Sequence, residues 1–176
     1  VQNRLLLDFD LAQVVSSPLA KLQPVVLDIL RLGAYQILFL DKIPVSAAVN
    51  EAVEQTKTYA NKRAAGLVNG SLRALARQKD TLAAPQDLAT KYSHPQPLVD
   101  CLRASMDGET LEAFLAADND IPKTALQCNP LIAAPEQIAS ALDEAQIPYE
   151  PHPWLPGCFL VSGTGNLEAL PLFQSG

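Results

Sequence analysis

Long apolar runs are missing from this 176-residue chain: stretches such as residues 33–40 fall far short of the roughly 18 residues that a membrane-spanning helix needs. The opening residues also lack the basic-then-apolar pattern of a secretory leader. Cysteine is scarce. Cys101, Cys128 and Cys158 are an odd number at wide, unpatterned spacing, so neither a disulfide framework nor a zinc site is expected, and a reducing compartment suits them. Repeats and low-complexity segments are absent, and no metal or cofactor site is expected within the chain. The chain begins at Val1, without a methionine, inside what reads as a helix (NRLLLDFDLAQVVSS), so a polypeptide that has lost its start is expected. An apolar content of 48% is enough for one large core or two small ones, and the expectation is a soluble, cytoplasmic chain with no membrane partner.

Acid is missing from one stretch in particular. Between Gln55 and Gln78 stand Lys57, Lys62, Arg63, Arg73 and Arg77 with no Asp or Glu, in a chain whose formal net charge is -6. Residues 1–80 hold 10 Lys/Arg against 7 Asp/Glu, a balance of +3, and residues 81–176 hold 3 against 12, a balance of -9. Two domains with different work are expected, the first the better suited to a polyanion.

Apolar residues at three- and four-residue intervals predict helices through the first half. Leu5, Phe9 and Ala12 define one apolar face; Val26, Leu27, Leu30, Ala34, Ile37 and Leu38 define a broad face on a helix opened by Pro24. Residues 41–44 break that helix. Pro44 then starts one through about Tyr59, Asn61 is a candidate N-cap for one through about Arg77, and KDTLAAP is a linker. Short helices are predicted in PQDLATKY, PQPLVDCLRASM and GETLEAFLAAD. A strand over 123–129, a helix over 135–146 and one or two strands within 148–162 follow, giving a β-α-β order. The fold class expected is mainly α, a helical bundle followed by a small α+β domain.

At about 100° per residue, Lys62, Gly66, Asn69, Arg73 and Arg77 share a stripe narrower than a quarter of the helix circumference, away from Ala65, Val68, Leu72 and Leu75. One face can enter a bundle while the other stays basic. Small residues admit close approach, Arg gives bidentate contacts, and an amide meets a phosphate, sugar or base edge, which together suit a phosphate backbone. A solvated face that is basic by chance, with Gly66 and Asn69 serving packing or a bend, is the competing reading.

The run LRLGAYQILFLDKIPVSAAVNEAVEQTKTYANKRAAGLVNGSLRALAR resembles the NusB-like domain of the Sun/Fmu family of ribosomal RNA cytosine-5 methyltransferases, with LRLG-x-YQ, Pro-x-x-AAVNEAVE and G-x-VN-x-x-LR in order. KYSHPQPLVD, LQCNPL and GNLEALPLFQSG continue the likeness up to where that family's catalytic domain would begin. Departures are Pro97, where Trp is frequent, and Gln127 and Ile132, where Arg and Lys are frequent. The resemblance implies a truncated NusB-like RNA-binding bundle over 1–80, a helical connector over 81–122 and an α+β domain over 123–176 ahead of an absent methyltransferase domain. It implies ribosomal RNA as partner, bound through Lys62, Arg63, Gly66, Asn69, Arg73 and Arg77. The missing domain would be a second partner and would bind S-adenosylmethionine; this chain alone would be inactive. The alternative is a non-enzymatic NusB-like adaptor of transcription antitermination, binding RNA and a ribosomal protein.

Other candidates read as structural. The family's catalytic cysteines follow Pro or Thr, whereas Cys101, Cys128 and Cys158 follow Asp, Gln and Gly. Ser162-Gly-Thr-Gly reads as a turn, because Glu168 replaces the third glycine of a nucleotide loop. His94 and His152 are expected in loop and packing roles, Tyr149 and Trp154 in packing, and Tyr35 in the core with its hydroxyl satisfied. Asp118 and Asp120 are expected to be plain surface acids, whose reversal to Lys would leave stability within about 0.5 kcal/mol.

Overall fold

Proline and asparagine set the helix starts. In the computed structural model, which describes residues 2–163 and 171–174, α1 (Arg4–Val14) is followed by α2 (Pro24–Phe39) with Pro24 at its first position. Pro44 precedes α3 (Val45–Tyr59) and Asn61 precedes α4 (Lys62–Gln78). The Asn61 side chain accepts a hydrogen bond from the Ala64 N–H at 2.9 Å, the cap the sequence predicts. Short helices α5 (Leu88–Lys91), α6 (Gln96–Arg103) and α7 (Gly108–Ala117) complete a first unit, Val1–Asp120.

Its core is built by α1 to α4 around Leu7, Leu11, Leu30, Val49, Val68, Leu72 and Leu75. The expected face of α2 holds in outline: Val26, Leu30, Ala34 and Ile37 are buried, with Ile29 and Gly33 beside them. Gly33 lets α2 and α4 approach, since a β-carbon there would sit 2.5 Å from Leu72 Cδ1. The expected face of α1 is corrected. Leu7, Asp10 and Leu11 point inward, and Ala12 is exposed. The sequence RLLLDFDLAQVV is apolar on nearly every side, so packing against α2, α4 and α5, not periodicity, chooses the face. Tyr35 is also corrected: it is half-buried at the rim, stacked on Phe39 with ring centroids 5.2 Å apart, and its hydroxyl has no protein partner among the described residues.

The second unit, Ile121–Gly176, has a core of its own. Strand β1 (Thr124–Gln127), helix α8 (Pro135–Glu144), and strands β2 (Tyr149–Pro151) and β3 (Cys158–Val161) give a three-stranded sheet in the order β1-β3-β2. Both outer strands run antiparallel to β3, so β1 and β2 are parallel and joined across it through α8. Helix α8 covers one sheet face, packing Leu142 and Ile138 against Leu126, Cys128, Phe159 and Val161. A short helix α9 (Pro171–Gln174) follows, and most of GNLEALPLFQSG and half of the Ser162–Gly165 segment lie outside the described residues. No helix of the described residues is long and apolar enough to cross a membrane.

Candidate nucleic-acid interface

Helix α4 is held by its apolar side. Ala65, Val68, Ser71, Leu72 and Leu75 are buried, the last four completely or nearly so, in contact with α2 and α3. Opposite them Lys62, Arg63, Gly66, Arg73 and Arg77 are exposed and Asn69 is half-buried at the edge of the stripe. All six predicted residues therefore stand on the solvent side of one helix. Gly70, which was not among the predicted residues, lies between them and is exposed as well.

Two local details distinguish this face from an arbitrary polar surface. A β-carbon at Gly66 or Gly70 would meet nothing within 4 Å, so neither glycine serves helix packing. Each costs the helix roughly 0.5–1 kcal/mol relative to Ala. The Arg73 Nε–H donates to Asn69 Oδ1 at 3.0 Å, which orients the guanidinium along the stripe. Asn69 makes that bond within α4, one turn away, and does not tie α4 to a neighbouring helix.

Some cations elsewhere in the same unit are paired, while Arg4, Lys21, Lys42 and Lys79 have no ion-pair partner among the described residues. Arg31 donates to both oxygens of Asp8 at 2.7 Å and to Asp28 at 2.9 Å; Lys57 meets Glu54 and Lys91 meets Glu112, both at 2.6 Å. Among the described residues no carboxylate pairs with Lys62, Arg63, Arg73 or Arg77. What sets these four charges apart is that they share the solvent side of one helix.

Among its described residues the second unit carries a single Lys or Arg, Lys123. The sheet face away from α8 carries Ala125, Gln127, Glu150, Cys158 and Leu160, none of them aromatic, and Lys123 beside it is paired with Glu150. The Gln127 amide donates to the carbonyls of Pro156 and Gly157 at 3.3 Å, a role within the fold. Cys128 and Cys158 are buried, and burial pushes the Cys128 thiol up, away from the thiolate a nucleophile needs. Tyr149 packs edge-on against Phe159 as expected, but Trp154 does not pack: it is 84% exposed, touching the His152 ring.

The Tyr-Ser-His-Pro segment has the structural role expected of His94, through partners that sequence reasoning missed. His94, only 7% exposed, hydrogen-bonds through Nδ1 to the Tyr92 carbonyl (2.7 Å) and through Nε2 to Asp118 (2.8 Å). Ser93, at φ 59°, accepts from the Leu5 N–H at 2.8 Å and so caps α1, while the Asn119 amide donates to the Tyr92 carbonyl at 2.8 Å. Asp118 is accordingly not a plain surface acid; it is the partner of a buried imidazole.

Residues 1–77 match the NusB family, and residues 94–168 match the ferredoxin-like domain of RsmF/B-type methyltransferases. The chain joins a NusB-family domain to an RsmF/B-type ferredoxin-like domain. A probable ribosomal RNA small subunit methyltransferase B from Synechocystis is 31% identical over 182 residues, covering 100% of this chain and 41% of the relative. One of the same name from Bacillus subtilis is 36% identical over 138 residues, covering 76% of the chain and 31% of the relative. The Escherichia coli ribosomal RNA small subunit methyltransferase B is 29% identical, covering 97% and 39%. The chain thus spans at most about two fifths of the length of these relatives. Among solved structures, the crystal structure of PH0851 superposes with a TM-score of 0.72 at 18% identity, covering 98% of this chain and 40% of that one, a likeness of fold.

Proposed function

We propose that this chain is the RNA-binding, substrate-positioning N-terminal region of an S-adenosylmethionine-dependent ribosomal RNA cytosine-5 methyltransferase. The observation that carries the reading is the stripe of α4: four cations without carboxylate partners, two exposed glycines and an amide, on a helix whose opposite face is locked into the bundle. The names of the relatives supply the class of RNA. In this reading Lys62, Arg63, Arg73 and Arg77 hold phosphates, Gly66 admits the strand close to the helix, and Asn69 sets the angle of Arg73. The chain presents RNA to the methyltransferase domain of the same enzyme and is inactive alone. S-adenosylmethionine, which supplies the methyl group, belongs to that other domain; the described residues hold no glycine-rich loop between a strand and a helix, and none is assigned to it. The compartment is the cytoplasm, which three free cysteines suit. An antitermination adaptor would account for residues 1–77 alone, and the methyltransferase-type domain over 94–168 favours the first reading.

Salt-dependent binding to ribosomal RNA fragments tests it. Replacing Arg73 and Arg77 by Ala removes two phosphate contacts, so affinity is expected to fall about equally across sequences and the salt slope to shrink by about 1–2, because each neutralised phosphate releases its counterion. Binding that stays unchanged in the double variant returns α4 to an ordinary solvated helix.

A further inference from the structure

Tyr59 ends α3, and only Ala60 and Asn61 separate it from Lys62 at the start of α4. It is 72% exposed. The other aromatic rings of the first unit are engaged or lie elsewhere. Tyr35 stacks on Phe39, Tyr92 donates to Glu112 and lies under Lys91, Phe9 is half-buried, and Phe114 is exposed on α7. Tyr59 has no ring contact and no hydrogen bond among the described residues. Three residues of chain place its Cα within about 11 Å of that of Lys62, at the end of the unpaired basic stripe. The nearest acid before it in sequence, Glu54, is held by Lys57 at 2.6 Å, and the next, Asp80, lies beyond α4.

We propose that Tyr59 is a stacking platform for an unpaired base and that the surface formed by Tyr59 and the α4 stripe takes single-stranded or looped RNA rather than duplex. The inference rests on the assignment of phosphate contacts to α4. The physical reason for choosing single strands is the ring itself. In an A-form helix the bases are stacked on one another and reach a protein only as edges in a shallow groove, whereas an unpaired base offers its face to an aromatic side chain. A charge-only surface accepts either form. An exposed ring at the end of a cationic track adds binding only where a base can leave the stack, while phosphates on either side of that base are held by Lys62 and the arginines.

The test compares an unstructured RNA oligonucleotide with the duplex it forms with its complement, both end-labelled and titrated by fluorescence anisotropy. Tyr59→Ala is expected to weaken single-strand binding by roughly 5- to 150-fold, the effect of losing one base–aromatic stack, with no change in salt slope. Tyr59→Phe keeps the ring and is expected to bind as the native chain does. Duplex binding is expected to be indifferent to both substitutions. Thermal unfolding of each variant checks that the fold is intact, as the exposure of Tyr59 leads one to expect. Equal losses on single strand and duplex, or no loss on the single strand, overturn the proposal. If the Arg73 and Arg77 double variant loses affinity while Tyr59→Ala does not, the stacking inference alone fails. If none of the variants alters binding, or the chain binds neither RNA, the phosphate-contact reading fails and takes the inference with it.

Discussion

A glycine in the middle of a helix has opposite meanings at two positions of this chain. At Gly33 the missing β-carbon makes room for Leu72, which is fully buried and cannot swing away at no cost. Gly33→Ala would gain roughly 0.5–1 kcal/mol of helix preference but overpack the α2–α4 contact at about 1–3 kcal/mol, so a net loss on the order of 1 kcal/mol is expected in denaturant unfolding. At Gly66 a methyl group meets open space, so Gly66→Ala is expected to stabilise by roughly 0.5–1 kcal/mol and, in the proposed function, to weaken RNA binding. A variant that gains stability and keeps its affinity would remove Gly66 from the interface. A second contrast separates two acids only two residues apart. Asp120→Lys is expected to stay within about 0.5 kcal/mol of the native chain. Asp118→Lys leaves a ring nitrogen of buried His94 unsatisfied and is expected to lose about 1–3 kcal/mol. Thermal melts of the two variants side by side decide it. The sequence offered no signal for this difference, because His94 and Asp118 lie 24 residues apart and meet only through the fold.

Helices were legible where one feature dominated. In α4 the apolar and basic stripes are cleanly separated, and Asn61 marks the start, so both the buried residues and the exposed cations follow from the order of residues alone. In α1 no stripe dominates, and the inward face includes an acid. Asp10 is 9% exposed, has no ion-pair partner among the described residues, and burial raises its carboxyl above the ordinary 3.8. The sign of the linkage follows. A carboxyl whose folded pKa is raised is costly when ionised, so it opposes folding at pH values above the raised pKa and ceases to do so as pH falls towards 3.8. Asp10→Asn is therefore expected to stabilise the chain at pH 7, with the gain shrinking as the pH is lowered through the raised pKa. Urea unfolding at several pH values measures this, and an equal or larger gain at pH 4 would contradict the burial argument. The strands were less legible than the helices. Each spans three or four residues, and the loop between β2 and β3, with Pro153, Trp154 and Pro156, could as well have buried its tryptophan as exposed it.

At the scale of the chain, charge and core divide in different places: the charge balance changes sign near residue 80, whereas the compact units meet at Asp120, so the first unit holds 12 Lys/Arg against 14 Asp/Glu and the second 1 against 5. The α1–α4 bundle and the sheet-containing unit have separate hydrophobic clusters, and the asymmetry of +3 over residues 1–80 against -9 over 81–176 was the sequence feature that pointed to two kinds of work, although residues 81–120, which carry much of the acid, belong to the first unit. A unit of about fifty residues has little core to lose, since small domains rarely hold more than about 3–5 kcal/mol. Leu142 is completely buried in the smaller cluster, between α8 and the sheet. Leu142→Ala removes a large side chain that its surroundings cannot replace, at about 2–5 kcal/mol, and is expected to unfold most of the second unit. Helix content of the first unit should survive, as α1 to α4 share no residue with that cluster. RNA affinity gives the decisive reading. With the contacts on α4, the Leu142→Ala chain should bind ribosomal RNA fragments with nearly the native affinity and the native salt slope, even after near-ultraviolet circular dichroism shows that Tyr149 and Phe159 have lost their fixed packing. A salt slope that fell with the second unit would mean that part of the phosphate contact comes from there, and the bundle would then be one of two RNA-binding surfaces on the chain.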